Sequence, residues 1–319
     1  MLKLRSPKAG LTLIEILVVI ATLGLLLGLL LPAIQASREA ARRAGCASNL
    51  RQIGVAIHSY LTDMQSFPPG SNAGRAFSMH AMLLPKLGET RLYEQIEFRS
   101  GKPFLSYSYD ENFSVSSVSL SVFLCPSDAR PSMQANGFTN YAGNGGSGTQ
   151  AYGYNGIFVP GNAPPVVPGS VIDGFSSTAL MAEWMLGGGA SGVQDPRRTV
   201  FATPVSLIRP DQLELFAEQC RLQVLEAGQS ITSNKGANWL YGEFGHTIYN
   251  HVLNPNESSC TNGTLVHEGA WTASSLHGEG SHVLFVDGHI QFLRNSIHKN
   301  IWRAIGSRAG GDNCGTDAF

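Results

Sequence analysis

The sequence predicts an α+β fold, with one long N-terminal helix packed on an antiparallel β-sheet head that carries loop-rich insertions. Three observations lead there. An apolar run from Leu11 to Leu31 continues without a break into a charged, helix-forming segment. An Asp287-Gly288 pair separates two β-prone runs near the C-terminus. Beyond Phe67-Pro68-Pro69-Gly70 the chain consists of short apolar segments punctuated by Gly, Asn, Ser and Pro. The 319 residues therefore divide into a basic leader, 1–10, a long helix, 11–62, and a head, 63–319.

Composition removes some functions at once. With 22 Lys+Arg against 23 Asp+Glu, no concentrated basic surface is available for a nucleic-acid backbone. The 36 Gly and 16 Pro follow no fixed period, which excludes a collagen-like repeat. A hydrophobic content of 43% is enough to bury a core.

The leader carries Lys3, Arg5 and Lys8 and no acidic residue, and the run behind it holds a single charge, Glu15. A helix over Leu11–Leu31, at ~1.5 Å per residue, is about 31 Å long and matches a hydrocarbon core of ~30 Å. The positive-inside rule then places the N-terminus in the cytoplasm and everything after the span on the far side of the membrane. An uncleaved signal anchor and a removed secretory signal remain open alternatives. Against them stands Glu15, because a carboxylate at that depth costs ~2.5 kcal/mol or more and calls for a partner. The run also passes through Pro32 into Ala33–Ala44, where Glu39 is spaced for ion pairs with Arg42 and Arg43.

Leu50, Ile53, Ile57 and Tyr60 or Leu61 extend an apolar stripe, so half of the helix stands outside the membrane. Gly24, Gly28 and Pro32 share one face; Gly-xxx-Gly spacing allows close helix approach, although glycines merely tolerated in a span are the plainer alternative. Pro32 also removes a hydrogen bond to the Gly28 carbonyl and is expected to bend the helix.

In the head, Met79–Ile96 is read as partly helical, with Leu83, Leu84, Leu87, Leu92 and Ile96 buried. Leu120–Leu124 is read as a strand ending at Cys125-Pro126, Asn136–Asn162 as ordered loops, and Gln212–Ala227 as a helix burying Leu213, Phe216, Cys220 and Val224. Residues 281–293 form the expected C-terminal hairpin. A two-residue type I′ turn at Asp287-Gly288 would set Val286 opposite His289, Phe285 opposite Ile290 and Val283 opposite Phe292. The apolar face of Val283, Phe285, Ile290 and Phe292 would then lie on the helix.

Histidines 277, 282 and 289 with Asp287 invite a metal reading. In that hairpin, however, His282 and His289 lie roughly 13 Å apart and share no ion. A hydrogen bond from His277 to Asp287 is favoured over coordination, and Asp173 and Glu183 read as a turn aspartate and a strand-end glutamate. No metal and no cofactor are expected. G-x-S-x-G, Walker, H-E-x-x-H and C-x-x-C motifs are absent, so the chain does not read as an enzyme.

Two sets of residues carry a resemblance. Lys8-Ala9-Gly10-Leu11-Thr12-Leu13-Ile14-Glu15 resembles the class III signal of type IV prepilins and type II secretion pseudopilins. His277 followed by Asp287-Gly288 resembles the prepilin-type, processing-associated H-x9-DG family. Further segments agree in order: Arg42–Gly54, Phe67–Gly70, Phe123–Asp128, Asn140–Gly143, and Asp173-Gly174 leading to Glu183.

The resemblance implies cleavage after Gly10 by a prepilin peptidase/N-methyltransferase, methylation of Leu11, and use of Glu15 in assembly. The family's usual Phe is Leu11 here. It further implies a single-pass inner-membrane protein, with its N-terminus cytoplasmic and its head extracytoplasmic, that joins like or related pilin subunits in a pilus or pseudopilus. Cys46 and Cys125 sit in family-like segments and are expected to clamp helix to sheet; Cys220 with Cys260 would be the second bridge, leaving Cys314. The function so implied is structural, a pilin or pseudopilin subunit. A membrane-anchored extracytoplasmic ligand-binding protein, with Asn140–Asn162 as its ligand face, is the alternative.

Overall fold

A computed structural model describes residues 13–71, 76–100, 111–128, 137–161, 163–188, 195–204, 206–225, 230–231 and 234–311. Gly10, Leu11 and Cys314 lie outside the described residues. Helix α1 (Leu13–Met64) runs 52 residues and carries Pro32 inside it. Every residue from Leu13 to Arg38 is exposed, so nothing in the head covers the apolar half. From Cys46 onward one face is buried, through Leu50, Ile53, Gly54, Ala56 and Ile57, at the i, i+4, i+7 spacing of a single helical stripe.

Short helices α2 (Met79–Leu83), α3 (Thr90–Glu94) and α4 (Phe113–Ser116) follow, then strands β1 (Tyr141–Asn144), β2 (Ala179–Glu183), β3 (Val200–Ala202), helix α5 (Leu213–Leu225), strands β4 (Ser230–Ile231), β5 (Ile248–Tyr249), β6 (Ser259–Asn262), β7 (Leu265–Ala270), β8 (Gly280–Phe285), β9 (Ile290–Arg294) and helix α6 (Lys299–Gly306). They build two sheets, ordered β5-β1-β2-β8-β9 and β4-β3-β6-β7. The docked half of α1 lies on the first sheet. Gly54 marks a close approach: a Cβ there would stand 3.0 Å from Leu284 Cδ2 on β8. Helix α5 covers the second sheet, around Phe201, Phe216, Cys220 and Cys260. Trp184, Trp239 and Trp302 are fully buried, and their indole N–H groups donate to the carbonyls of Thr139 (2.8 Å), Val118 (2.8 Å) and Leu253 (2.7 Å).

The fold class stands as α+β, but the head is mixed rather than antiparallel: β1 pairs parallel with β5, and β3 with β6. Parallel neighbours need long crossover connections, and here the insertions supply them.

The hairpin register also differs, by one residue. Leu284 pairs with Ile290, Val283 with Gln291 and His282 with Phe292. The Phe285 N–H donates to the His289 carbonyl (2.9 Å) and the Gly288 N–H to the Phe285 carbonyl (3.0 Å), so the loop has one more residue than the type I′ turn expected. Gly288, at φ 93°, takes the left-handed position that closes such a loop. The slip exchanges faces, and Leu284 now meets the helix in place of Phe285. A side chain at Gly288 is expected to cost about 1–2 kcal/mol; Gly288→Ala should lower the urea midpoint without changing the slope.

Two local readings are corrected, and a third changes at one residue. Leu120–Leu124 contains a 3-10 turn over Ser121–Phe123, not a strand, because Asn49 of α1 donates to the Ser121 (3.3 Å) and Leu124 (2.8 Å) carbonyls. Met79–Ile96 is partly helical as expected, α2 and α3 joined by a 3-10 turn with Pro85 in its first turn, and Leu83, Leu84, Leu92 and Ile96 are buried; only Leu87 departs, being half-buried. The Gly- and Asn-rich stretch read as loops holds β1, an interior strand of the first sheet; Asn144 Nδ2 donates to the Ala179 (2.8 Å) and Gly306 (2.9 Å) carbonyls.

Candidate functional site

One cluster of chemistry-bearing side chains among the described residues gathers where α1 meets the head. Glu39, Arg43 and Cys46 recur at helical spacing along the docked side of α1. Cys46 is disulfide-bonded to Cys125, which follows the 3-10 turn. The Tyr141 hydroxyl donates to the Cys46 carbonyl (3.0 Å); burial first, and the Glu183 charge second, push its pKa up. Arg43 pairs not with Glu39 but stacks over the Phe292 ring, 3.8 Å from its centroid, while Arg42 holds the expected ion pair with Glu39 at 2.6 Å.

His277 sits in the loop before β8 with its ring fully buried. Its Nδ1 is 2.9 Å from Glu39 Oε1, and its Nε2 is 3.5 Å from Cys125 Sγ. The hydrogen bond from His277 holds the Glu39 carboxyl below the usual carboxylate range, against a smaller opposing effect of burial and with help from Arg42. Glu183, at the end of β2, is buried. Its Oε2 accepts from the His282 backbone N–H (3.1 Å) and lies 2.9 Å from His282 Nδ1. Its Oε1 has no hydrogen-bond partner among the described residues and lies 3.9 Å from His277 Nε2. One donor atom each from Cys46, Cys125, Glu183 and His277 falls within 4.8 Å of the others.

His277 is therefore not tied to Asp287. Asp287 Oδ1 instead accepts from the His289 backbone N–H (3.0 Å) and lies 2.6 Å from His289 Nδ1. The two Asp-Gly turns do meet, since the Asp287 N–H donates to the Phe175 carbonyl just past Asp173-Gly174 (3.2 Å). Asp173 accepts from the Gly310 (2.6 Å) and Gly311 (2.9 Å) N–H groups, beyond α6. Glu15, Gly24 and Gly28 lie on the exposed half of α1, with nothing within 4 Å of a Cβ at either glycine. Cys220 of α5 is disulfide-bonded to Cys260 of β6.

By local spacing Glu39 reads only as a helix ion pair and Glu183 as a strand end. Their roles at the junction come from contacts that span 238 and 99 positions. The only local hint was Glu39 seven residues before Cys46, on one helix face. Lys235 was missed altogether. It is fully buried, donates to the Thr272 carbonyl (2.8 Å) and Ser274 Oγ (3.3 Å), and burial pulls its pKa down to about 7.

A family model described as "Protein of unknown function (DUF1559)" matches residues 35–300. The chain belongs to the DUF1559 family. No curated protein and no solved structure matches it. The DUF1559 match opens just after Pro32 and covers the docked half of α1, both sheets and every residue of the junction. DUF1559 is typical of prepilin-like bacterial surface proteins.

Proposed function

We propose that this DUF1559 protein is a structural subunit, pilin or pseudopilin, of a type IV pilus-like or type II secretion filament. A prepilin peptidase/N-methyltransferase cuts it after Gly10, and α1 anchors it in the inner membrane, with the head extracytoplasmic, until assembly. The observation that carries this reading is the division of α1. Its distal half docks on the first sheet, while Leu13–Arg38 offers only exposed surface, apolar apart from Glu15 and Thr22 as far as Ile34. Such a surface is stable against lipid or against like helices.

Cleavage would create an α-amino group at Leu11, and Glu15 of an adjacent subunit is the carboxylate placed to pair with it, fixing one axial register. Glu15→Leu is expected to lower the amount of protein in sheared filaments at least tenfold while leaving membrane levels unchanged. Wild-type assembly of Glu15→Leu, or an intact leader by N-terminal mass spectrometry, contradicts the proposal.

A second reading, a membrane-anchored ligand-binding protein, has one observation in its favour: a cleft of about 430 Å³ beside the Cys220–Cys260 bridge, walled by Val224, Leu225 and Leu253. The expected ligand face offers little, because the side chains of Asn140, Asn144 and Asn155 bond within the head. Protein that stays in the membrane fraction whatever stands at position 15 fits that second reading.

A further inference from the structure

We propose that, when Cys46 and Cys125 are reduced, Cys46, Cys125, Glu183 and His277 form a closed Zn2+ site at the junction of helix and head. The inference is independent of filament assembly.

The donor set is two thiolates, an imidazole and a carboxylate, which suits Zn2+ in a tetrahedral structural site. Bond lengths of ~2.3 Å to sulfur and ~2.0–2.2 Å to nitrogen and oxygen imply donor–donor edges of roughly 3.3–3.8 Å. The four donors already lie within 4.8 Å of one another, and opening the S–S bond brings the sulfurs toward that edge.

Orientation is the stronger argument. His277 Nδ1 is engaged by Glu39, so the ring is held with Nε2 facing Cys125. Glu183 Oε2 is engaged by His282, which leaves Oε1, buried and without a partner among the described residues, aimed at the same point. An outer carboxylate on a ligating histidine and a hydrogen bond on a ligating carboxylate are the usual supports of a metal site. An orphaned buried carboxylate oxygen is otherwise costly, and a cation at this point would satisfy it.

The two states exchange by balanced chemistry. A dithiol reductant opens the bridge: it gives up two electrons and two protons, becoming a cyclic disulfide while Cys46 and Cys125 become thiols, and Zn2+ binding then releases the two thiol protons. A small-molecule disulfide such as oxidised glutathione reverses it: the two thiolates give up two electrons to form the Cys46–Cys125 bond, the oxidant takes these with two protons to become two thiols, and Zn2+ leaves. The junction is thus closed covalently when oxidised and by coordination when reduced.

The test uses the full chain in detergent, reduced, freed of reductant under anaerobic conditions, and given Zn2+ or Co2+. One Zn2+ per chain is expected to remain after gel filtration, and Co2+ should give tetrahedral visible bands with thiolate charge transfer. The oxidised protein should retain none, and oxidised glutathione should release what is bound. Glu183→Gln and His277→Gln are each expected to weaken Zn2+ affinity at least tenfold. Glu39→Gln should weaken it by ~10–100-fold, and a Cys220→Ser/Cys260→Ser double variant should bind as wild type.

Folded, reduced protein that retains no metal overturns the proposal. So does undiminished binding by the Glu183 and His277 variants. Reduction that unfolds the head without rescue by Zn2+ also overturns it, because a site at this position has to hold the junction.

Discussion

Acidification from pH 7 to about 4.5 is expected to remove about 7 kcal/mol of the head's stability, comparable to the ~5–15 kcal/mol total of an ordinary domain. Three histidines drive it. Burial lowers His80 and His251 to about 3 and His246 to about 4, from an ordinary 6.5. His80 donates through Nε2 to the Tyr141 carbonyl (2.9 Å), and its Nδ1 has no partner among the described residues. His251 Nδ1 donates to the Trp302 carbonyl (2.7 Å), and Nε2 accepts from the Tyr249 hydroxyl (2.8 Å). A second ring proton therefore brings a buried charge: at His80 Nδ1 it meets no acceptor among the described residues, and at His251 Nε2 it forces the Tyr249 hydroxyl to turn from donor to acceptor.

The sign follows from proton counting. Below about 6.5 the unfolded chain binds protons at these rings and the folded chain does not, so stability falls with pH by about 1.4 kcal/mol per unit for each ring. The loss continues until the folded values near 3 and 4 are reached. Urea midpoints followed by tryptophan fluorescence between pH 7 and 4.5 measure it. His80→Gln, which keeps a donor for Tyr141, should flatten the slope by one proton. A flat wild-type profile would show that the rings are not buried neutral.

The second large effect concerns the clamp. Under oxidising, metal-free conditions, Cys46→Ala/Cys125→Ala is expected to cost about 4.5 kcal/mol, from the chain entropy of a bridge closing a loop of that length. The two cysteines are 79 positions apart. The Cys220–Cys260 bridge spans 40 positions, and its removal should cost about 4 kcal/mol. The two differ more in what they release. Losing the first frees the α1 face that carries Asn49 and Leu50, so trypsin should gain access to Arg42 and Arg43; losing the second frees α5 alone. Equal protection of α1 in both variants would refute the clamp.

These effects arise from parts of the molecule that were unequally legible. The stripe Leu50, Ile53, Ile57 was readable because helical periodicity is local, and so was the buried face of α5 through Leu213, Phe216 and Cys220. The hairpin was readable as a hairpin, yet its register was not. Asp287-Gly288 fits both a two-residue turn and a loop one residue longer, and the choice fell to the docking of Leu284 against Gly54 and of the turn against Phe175. Strand β1 was hidden because Gly and Asn are weak strand formers, and it is held by bonds from Asn140 and Asn144 to remote carbonyls. Among the junction residues, His277 stood out by its spacing from Asp287 while its actual partner is Glu39, 238 positions away.

By itself, the sequence determined the α+β class, a helix long and apolar enough to span a membrane, and the point where a Pro- and Gly-rich head begins. Apolar length, charge placement and helical period act over a few turns of chain, and they suffice for those features. Tertiary structure alone decided the mixed sheet order, the hairpin face that meets α1, and the convergence of Cys46, Cys125, Glu183 and His277. Each depends on segments 59 or more positions apart reaching one place, and the energies that choose among such meetings, burial and buried hydrogen bonding, exist only once the chain has closed on itself.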